Sequence, residues 1–417
     1  MIKTKLIAML VVGALVLNMP VAAYASANNE EILNSVDEAV EYLENSQNDD
    51  GSISGFGGES QWAVVAVESA GTDADKIVSD KDKSLEDFVS NDHPDASAPA
   101  TDIERRMLAI NALGEDTSDF NGVNYNAKLL AQENNNQFGD ESLLNDDYFG
   151  ILAASVTKDD SFNGLVEGSL DHIISNQETD GGFSYTTNDC AWCGSDSNDT
   201  AAAIMAMYAA EGMDVTHILL DTSRDRAVVY LLSTQNEDGG FGYDIYSPSD
   251  GSSTAWALMA LNVIGDPVRN EAVKARDWLL SIQNEDGGFG YYAYGFTDSD
   301  TYTTSHAIIA LLGSSWTLDP APLTADIEEK NEEFAVVTID QAQEALSNFA
   351  AINSPVQSAE ETNEQVSVTN KIATINEDAA VESSQDNLPY LGLSVLGTIA
   401  LAWFGWFMLS SKRKQEV

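Results

Sequence analysis

The stretch "QNEDGGFG" stands at 235–242 and again at 283–290. The first copy follows "YLLST", the second "WLLSI", and Tyr comes next in both. A third version, "HIISNQETDGGFSY", ends at Tyr185. Each is succeeded by a polar stretch and then an apolar run: "NDTAAAIMAMYAAEG", "SSTAWALMALNVIG" and "TTSHAIIALLG". Self-similarity at a regular period marks a repeat architecture. Upstream, "YLENSQNDDGSISGFGGESQWAVVAVESAG" and "KLLAQENNNQFGDESLLNDDYFGILAAS" are weaker copies, and "TDIERRMLAINALG" keeps mainly a second helix. That makes six units between about residue 30 and residue 316.

Within a unit the pattern predicts a helix, a Gly-rich turn and a second helix. In "NEAVKARDWLLSIQ" the apolar residues Ala272, Val273, Trp278, Leu279 and Ile282 recur near period 3.6 among charges, the mark of a one-sided outer helix. The second helices, such as Thr254 to Ile264, are apolar nearly all round and are expected inside. Thr or Ser at their starts is expected to cap them, and Gly265 and Gly313 fall where they should end. "DGG" then supplies the positive φ that lets the chain leave the outer helix. Gln283 is expected to cap that helix, and Phe289 to pack over the hairpin end. The repeated octapeptide therefore reads as a structural clasp rather than a ligand loop.

These repeats resemble the prenyltransferase and squalene-oxidase repeat family, which includes terpenoid cyclases, protein prenyltransferase β-subunits and cobalamin carriers. The resemblance rests on Gln177-to-Phe183, Gln235-to-Phe241 and Gln283-to-Phe289, with one extra spacer residue, and covers about 285 residues. It implies an all-α fold: a closed (α/α)6 toroid of six inner and six outer helices around a central cavity. The same resemblance argues against chemistry. "DSNDTA" at 196–201 is similar to the cyclase Asp-x-Asp-Asp-Thr-Ala, but Asn198 stands at the proton-donating Asp. An amide cannot protonate an alkene, so Asp196 and Asp199 remain as the catalytic candidates. Asp250 matches a prenyltransferase zinc ligand, yet Ser252 and Thr303 replace the Cys and the His. No metal and no cofactor is expected. His306, alone on an apolar helix, reads as a packed core residue. Cys193-Gly194 continues as Ser195-Asp196, which excludes an internal thioester of the Cys-Gly-Glu-Gln kind.

The expected function is therefore a toroid of the non-catalytic, cell-surface style that binds a ligand in its cavity. Residues at the starts of the inner helices should ring the mouth: aromatic Trp62, Tyr148, Trp256 and Tyr302, and acidic Asp102, Asp147, Asp199, Asp250 and Asp300. Carboxylates beside aromatics suit a small polar molecule, a glycan or a cation. The alternatives are an enzyme acting on an isoprenoid lipid, in the manner of a terpene cyclase or prenyltransferase, and a structural or adhesive head.

Both ends of the sequence point to a cell-surface protein. Residues 1–27, "MIKTKLIAMLVVGALVLNMPVAAYASA", have the basic, apolar and small-residue regions of a secretory signal. The toroid is expected over 28–318, an acidic disordered stalk over 319–389, a membrane span over 390–409 and a basic cytoplasmic tail over 410–417. Tyr390 to Leu409 carries no charge, and 20 helical residues span roughly 30 Å, one hydrocarbon core. Leu388-Pro389-Tyr390-Leu391-Gly392 before it resembles a sortase signal, with Leu391 in the Thr position, so retention in the membrane is expected. In an exported chain Cys190 and Cys193 should form a disulfide. The chain has 68 acidic against 19 Lys and Arg residues, a net charge of −49, which excludes a nucleic-acid partner and is of the halophilic type. A monomer is expected.

Overall fold

A computed structural model describes residues 27, 29–55, 57–94, 98–157, 159–187, 193–292 and 298–317. All fall in the first of the two units into which the chain divides, Met1–Leu346. The expected signal, stalk, membrane span and tail lie outside the described residues, as does Cys190. Among the described residues no helix is long and apolar enough to cross a membrane.

Among the described residues, twelve α-helices alternate between two rings. The inner ring is α2 (Gly57–Ser69), α4 (Ala100–Ala112), α6 (Leu144–Ser155), α8 (Ser197–Gly212), α10 (Gly251–Ile264) and α12 (Thr301–Leu311). The outer ring is α1 (Asn29–Asn45), α3 (Leu85–Asn91), α5 (Tyr125–Leu130), α7 (Asn163–Ser175), α9 (Leu220–Ser233) and α11 (Arg269–Ser281). Each inner helix packs on the next, and α12 packs on α2, so the ring closes. The expected six hairpins are present. A small antiparallel ribbon, β1 (Glu133–Asn134) and β2 (Gln137–Phe138), sets Glu133 opposite Phe138 at the third hairpin.

Burial follows the predicted faces. In α10 every residue from Gly251 to Leu261 is buried, whereas α11 buries only Ala275, Trp278 and Leu279. Gly265, at φ 81°, ends α10 as expected. The inner helices are capped otherwise than predicted. Asp196, Asp250 and Asp300 take the N-cap positions and accept from the N–H groups of Asp199, Ser253 and Thr303. The threonines expected as caps act elsewhere. Thr200, Thr254 and Thr304 hold the backbone N–H of Phe183, Phe241 and Phe289, each at 2.9 Å.

The clasp joins neighbouring repeats instead of capping its own helix. Nε2 of Gln47, Gln177, Gln235 and Gln283 donates to the carbonyl of the Gly four residues on, and also to a carbonyl in the following repeat: Ile77, Ser223, Glu271 and Ser35. The last bond, 2.8 Å from Gln283 to Ser35 on α1, locks the end of the ring to its beginning. Gly287 needs its φ of +85° here, and a Cβ there would stand 2.3 Å from the Glu38 carbonyl.

Candidate functional site

The six inner helices each present their sixth residue at one level: Trp62, Arg105, Phe149, Ala202, Trp256 and His306. The aromatic members meet across the axis. Trp62 lies 6.0 Å from Phe149 and 5.2 Å from His306, and Phe149 lies 6.2 Å from Trp256, ring centre to ring centre. Trp316, just beyond α12, inserts among them at 5.5 Å from Trp62, 5.0 Å from Phe149 and 4.6 Å from Trp256. Such packing of large rings is a specific and well-stabilised arrangement. Phe149 is half-buried, whereas Trp62, Trp256, His306 and Trp316 are buried. This aromatic layer and the helix starts around it are together called the cup, with the rings as its floor.

Its rim is polar. Asp102 pairs with the Arg105 guanidinium at 2.5 Å, and Arg105 also donates to the Gln61 side chain and lies 6.0 Å from the Trp62 ring. Tyr302 stands one turn above His306, their rings 4.3 Å apart. Asn198 and Asp199 are partly exposed at the start of α8. Asp199 shares a side-chain hydrogen bond with Asp196, whose other oxygen accepts from the Tyr243 hydroxyl at 3.1 Å. Burial, and then the charge of Asp196, push the Asp199 carboxyl well above the usual range.

Several expected mouth residues are placed differently. Asp147 and Tyr148 are fully buried. Asp147 accepts from the Phe138 N–H, in the role Thr has in other repeats, and the Tyr148 hydroxyl donates to the Ser184 carbonyl. Asp250 and Asp300 are caps whose acceptor oxygens face their own helix starts. Trp62 and Trp256 form floor rather than rim, whereas Asp102, Asp199 and Tyr302 do stand at the rim. Arg105, Phe149 and Trp316 were absent from the expected site. They differ in type from their counterparts in other repeats, so repetition could not mark them. Cys193 is disulfide-bonded, and the chain's other cysteine is Cys190. Among the described residues no group of three or more His, Cys, Asp or Glu is arranged to hold a metal ion.

A model of the prenyltransferase alpha-alpha toroid domain matches residues 194–352. Drimenyl diphosphate synthase of Streptomyces showdoensis is 28% identical over 109 residues, which are 26% of this chain and 20% of that one. Squalene–hopene cyclase of Zymomonas mobilis subsp. mobilis is 29% identical over 124 residues, 27% of this chain and 17% of the relative. The match thus spans a fifth or less of these curated relatives. A type II terpene cyclase from Scytonema, solved with geranylgeranyl dihydroxybenzoate, is similar at a TM-score of 0.47 and 13% identity, over 69% of this chain and 99% of that one. The matching family model describes the same repeat family that the sequence resembles.

Proposed function

We propose that this toroid is a receptor that holds a small molecule in the cup and performs no chemistry on it. The observation that carries this reading is the floor of Trp62, Phe149, Trp256 and His306 beneath the polar rim of Asp102, Arg105, Asp199 and Tyr302. Rings offer an apolar face to stack on, and the rim offers a few placed polar groups, the usual make-up of a small-molecule site. Asn198 supports the absence of chemistry, because an amide stands where the resembling cyclases carry their acid. In this reading the head faces outward on the apolar span 390–409. Native mass spectrometry of the purified protein tests it. A copurified small molecule is expected in the wild type and not in Phe149→Arg, which puts a long cation into the cup. Wild-type protein without any bound molecule, from its own host, would sink the reading.

One observation favours a second reading, acid-initiated cyclisation of an isoprenoid. Asp199 is a carboxyl at the rim whose pKa is raised by burial and by the charge of Asp196, and a tuned acid can protonate an alkene. The relatives named for drimenyl diphosphate and squalene–hopene chemistry agree with it. Squalene and geranylgeranyl diphosphate recovered unchanged after incubation with the protein would exclude it. A cyclic product, lost in Asp199→Asn, would establish it and displace the receptor.

A further inference from the structure

At the bottom of the cup, three nitrogens have no hydrogen-bond partner among the described residues: His306 Nε2, Trp316 Nε1 and Trp256 Nε1. His306 and Trp316 are 0% exposed, and Trp256 is 8% exposed. Their complementary chemistry can be fixed. His306 Nδ1 lies 2.7 Å from the Tyr302 carbonyl oxygen. A carbonyl only accepts, so Nδ1 carries the hydrogen and Nε2 is a bare acceptor. Burial lowers the imidazole pKa to about 4, which keeps the ring neutral at physiological pH. The indole Nε1 is a donor only. Besides the Trp256 N–H, the floor therefore holds one unmet acceptor and one unmet donor that are fully buried, His306 Nε2 and Trp316 Nε1.

The two cannot satisfy each other as they stand. Their rings meet edge-on at 89°, with centres 5.8 Å apart, and no bond forms between them. Unmet buried groups of this kind are uncommon and costly. Trp316 is also the one floor ring not carried on a helix. It follows Gly313 at the end of α12.

We propose that the floor is a receptor for a hydroxyl group: the ligand of the cup is an alcohol or phenol whose O–H donates to His306 Nε2 while its oxygen accepts from the Trp316 N–H. This inference rests on the reading of the cup as a binding site, and it names the leading group of the ligand. Other common groups meet only half of the pair. A ketone or carboxylate accepts from the indole but leaves the imidazole bare. An ammonium donates to the imidazole but leaves the indole unmet. A hydroxyl serves both at one atom, and its apolar body would lie against Phe149, Trp62 and Trp256. Tyr302 is then a positioning residue, because its carbonyl sets the His306 tautomer.

Calorimetric titration of the full-length protein with 2-naphthol, 2-methoxynaphthalene and naphthalene tests the inference. The three share one flat body and differ at one oxygen. We expect 2-naphthol to bind about tenfold more tightly than either analogue, because each analogue leaves buried polar groups unmet. In His306→Phe and Trp316→Phe the preference should fall to about one. A wild-type readout guards against variants that fail to fold: the His306 Nε2 nitrogen resonance should move on adding 2-naphthol and stay in place with naphthalene. Equal affinity for all three, or an unmoved Nε2 resonance with 2-naphthol bound, would overturn the hydroxyl inference and leave the cup standing. Failure of all three to bind would remove the cup itself, and the inference with it.

Discussion

Glu104 is the residue whose placement most contradicts its chemistry. It is fully buried on α4, and neither carboxyl oxygen has a hydrogen-bond partner among the described residues. Burial first, then the charges of Asp146 and Asp147, push its pKa well above the usual carboxylate range. Asp146 and Asp147 are themselves raised to about 6 and about 8, chiefly by burial. Raised acids bind protons more tightly folded than unfolded, so their stabilising contribution is present at low pH and is lost as pH rises through the folded values. The melting temperature should therefore fall between pH 5 and pH 9. Glu104→Gln should lessen that fall and raise the melting temperature at pH 9 by about 2 °C or more, since an unpaired buried carboxylate is replaced by a neutral amide. Thermal melts of both proteins across that range decide it. Superimposable profiles would show that Glu104 takes up no proton on folding, against the raised pKa. Nothing in "TDIERRMLAINALG" announces this, because a Glu in a polar-looking helix reads as solvent-facing.

The repeated helix–turn–helix element was legible in the sequence, and the axis was not. Gln, Asp, Gly, Gly and Phe recur because every repeat needs the same bonds: the Gln amide to two carbonyls, and the Phe N–H to a Thr hydroxyl. Copying therefore exposed the fold. The sixth residues of the inner helices point at a shared axis, where six copies of one side chain would collide or leave a hole. Trp62, Arg105, Phe149, Ala202, Trp256 and His306 are unlike for that reason, and unlike residues leave no periodic trace. The caps were misread for a related cause. Asp and Thr both occur near each helix start, and only the three-dimensional turn assigns the cap to Asp250 and the Phe241 bond to Thr254. The clasp predicts its own failure. Gly287→Ala combines a strained φ with a Cβ 2.3 Å from the Glu38 carbonyl, so the seam between the last repeat and α1 should loosen. Hydrogen exchange should show lost protection over 29–45, with a global cost of about 1–3 kcal/mol. Unchanged protection there would mean that α1 is held by its packing on α12 alone.

The whole molecule carries its charge as a folded body must. With a net charge of −49, repulsion works against compaction, and it is screened over ~10 Å at 0.1 M salt and ~3 Å at 1 M. The melting temperature should rise with NaCl, and a flat curve would show that the charge matters little to folding. At this scale the account makes one central claim: a ring of helices, locked by its clasps, presents an aromatic-floored cup that holds a small molecule without altering it. The most direct measurement is a crystal structure of the protein purified from its own host. The account predicts electron density for one organic molecule on the axis, against Phe149, Trp62 and Trp256. Density for water alone above Phe149, at a resolution that defines the side chains, would contradict it.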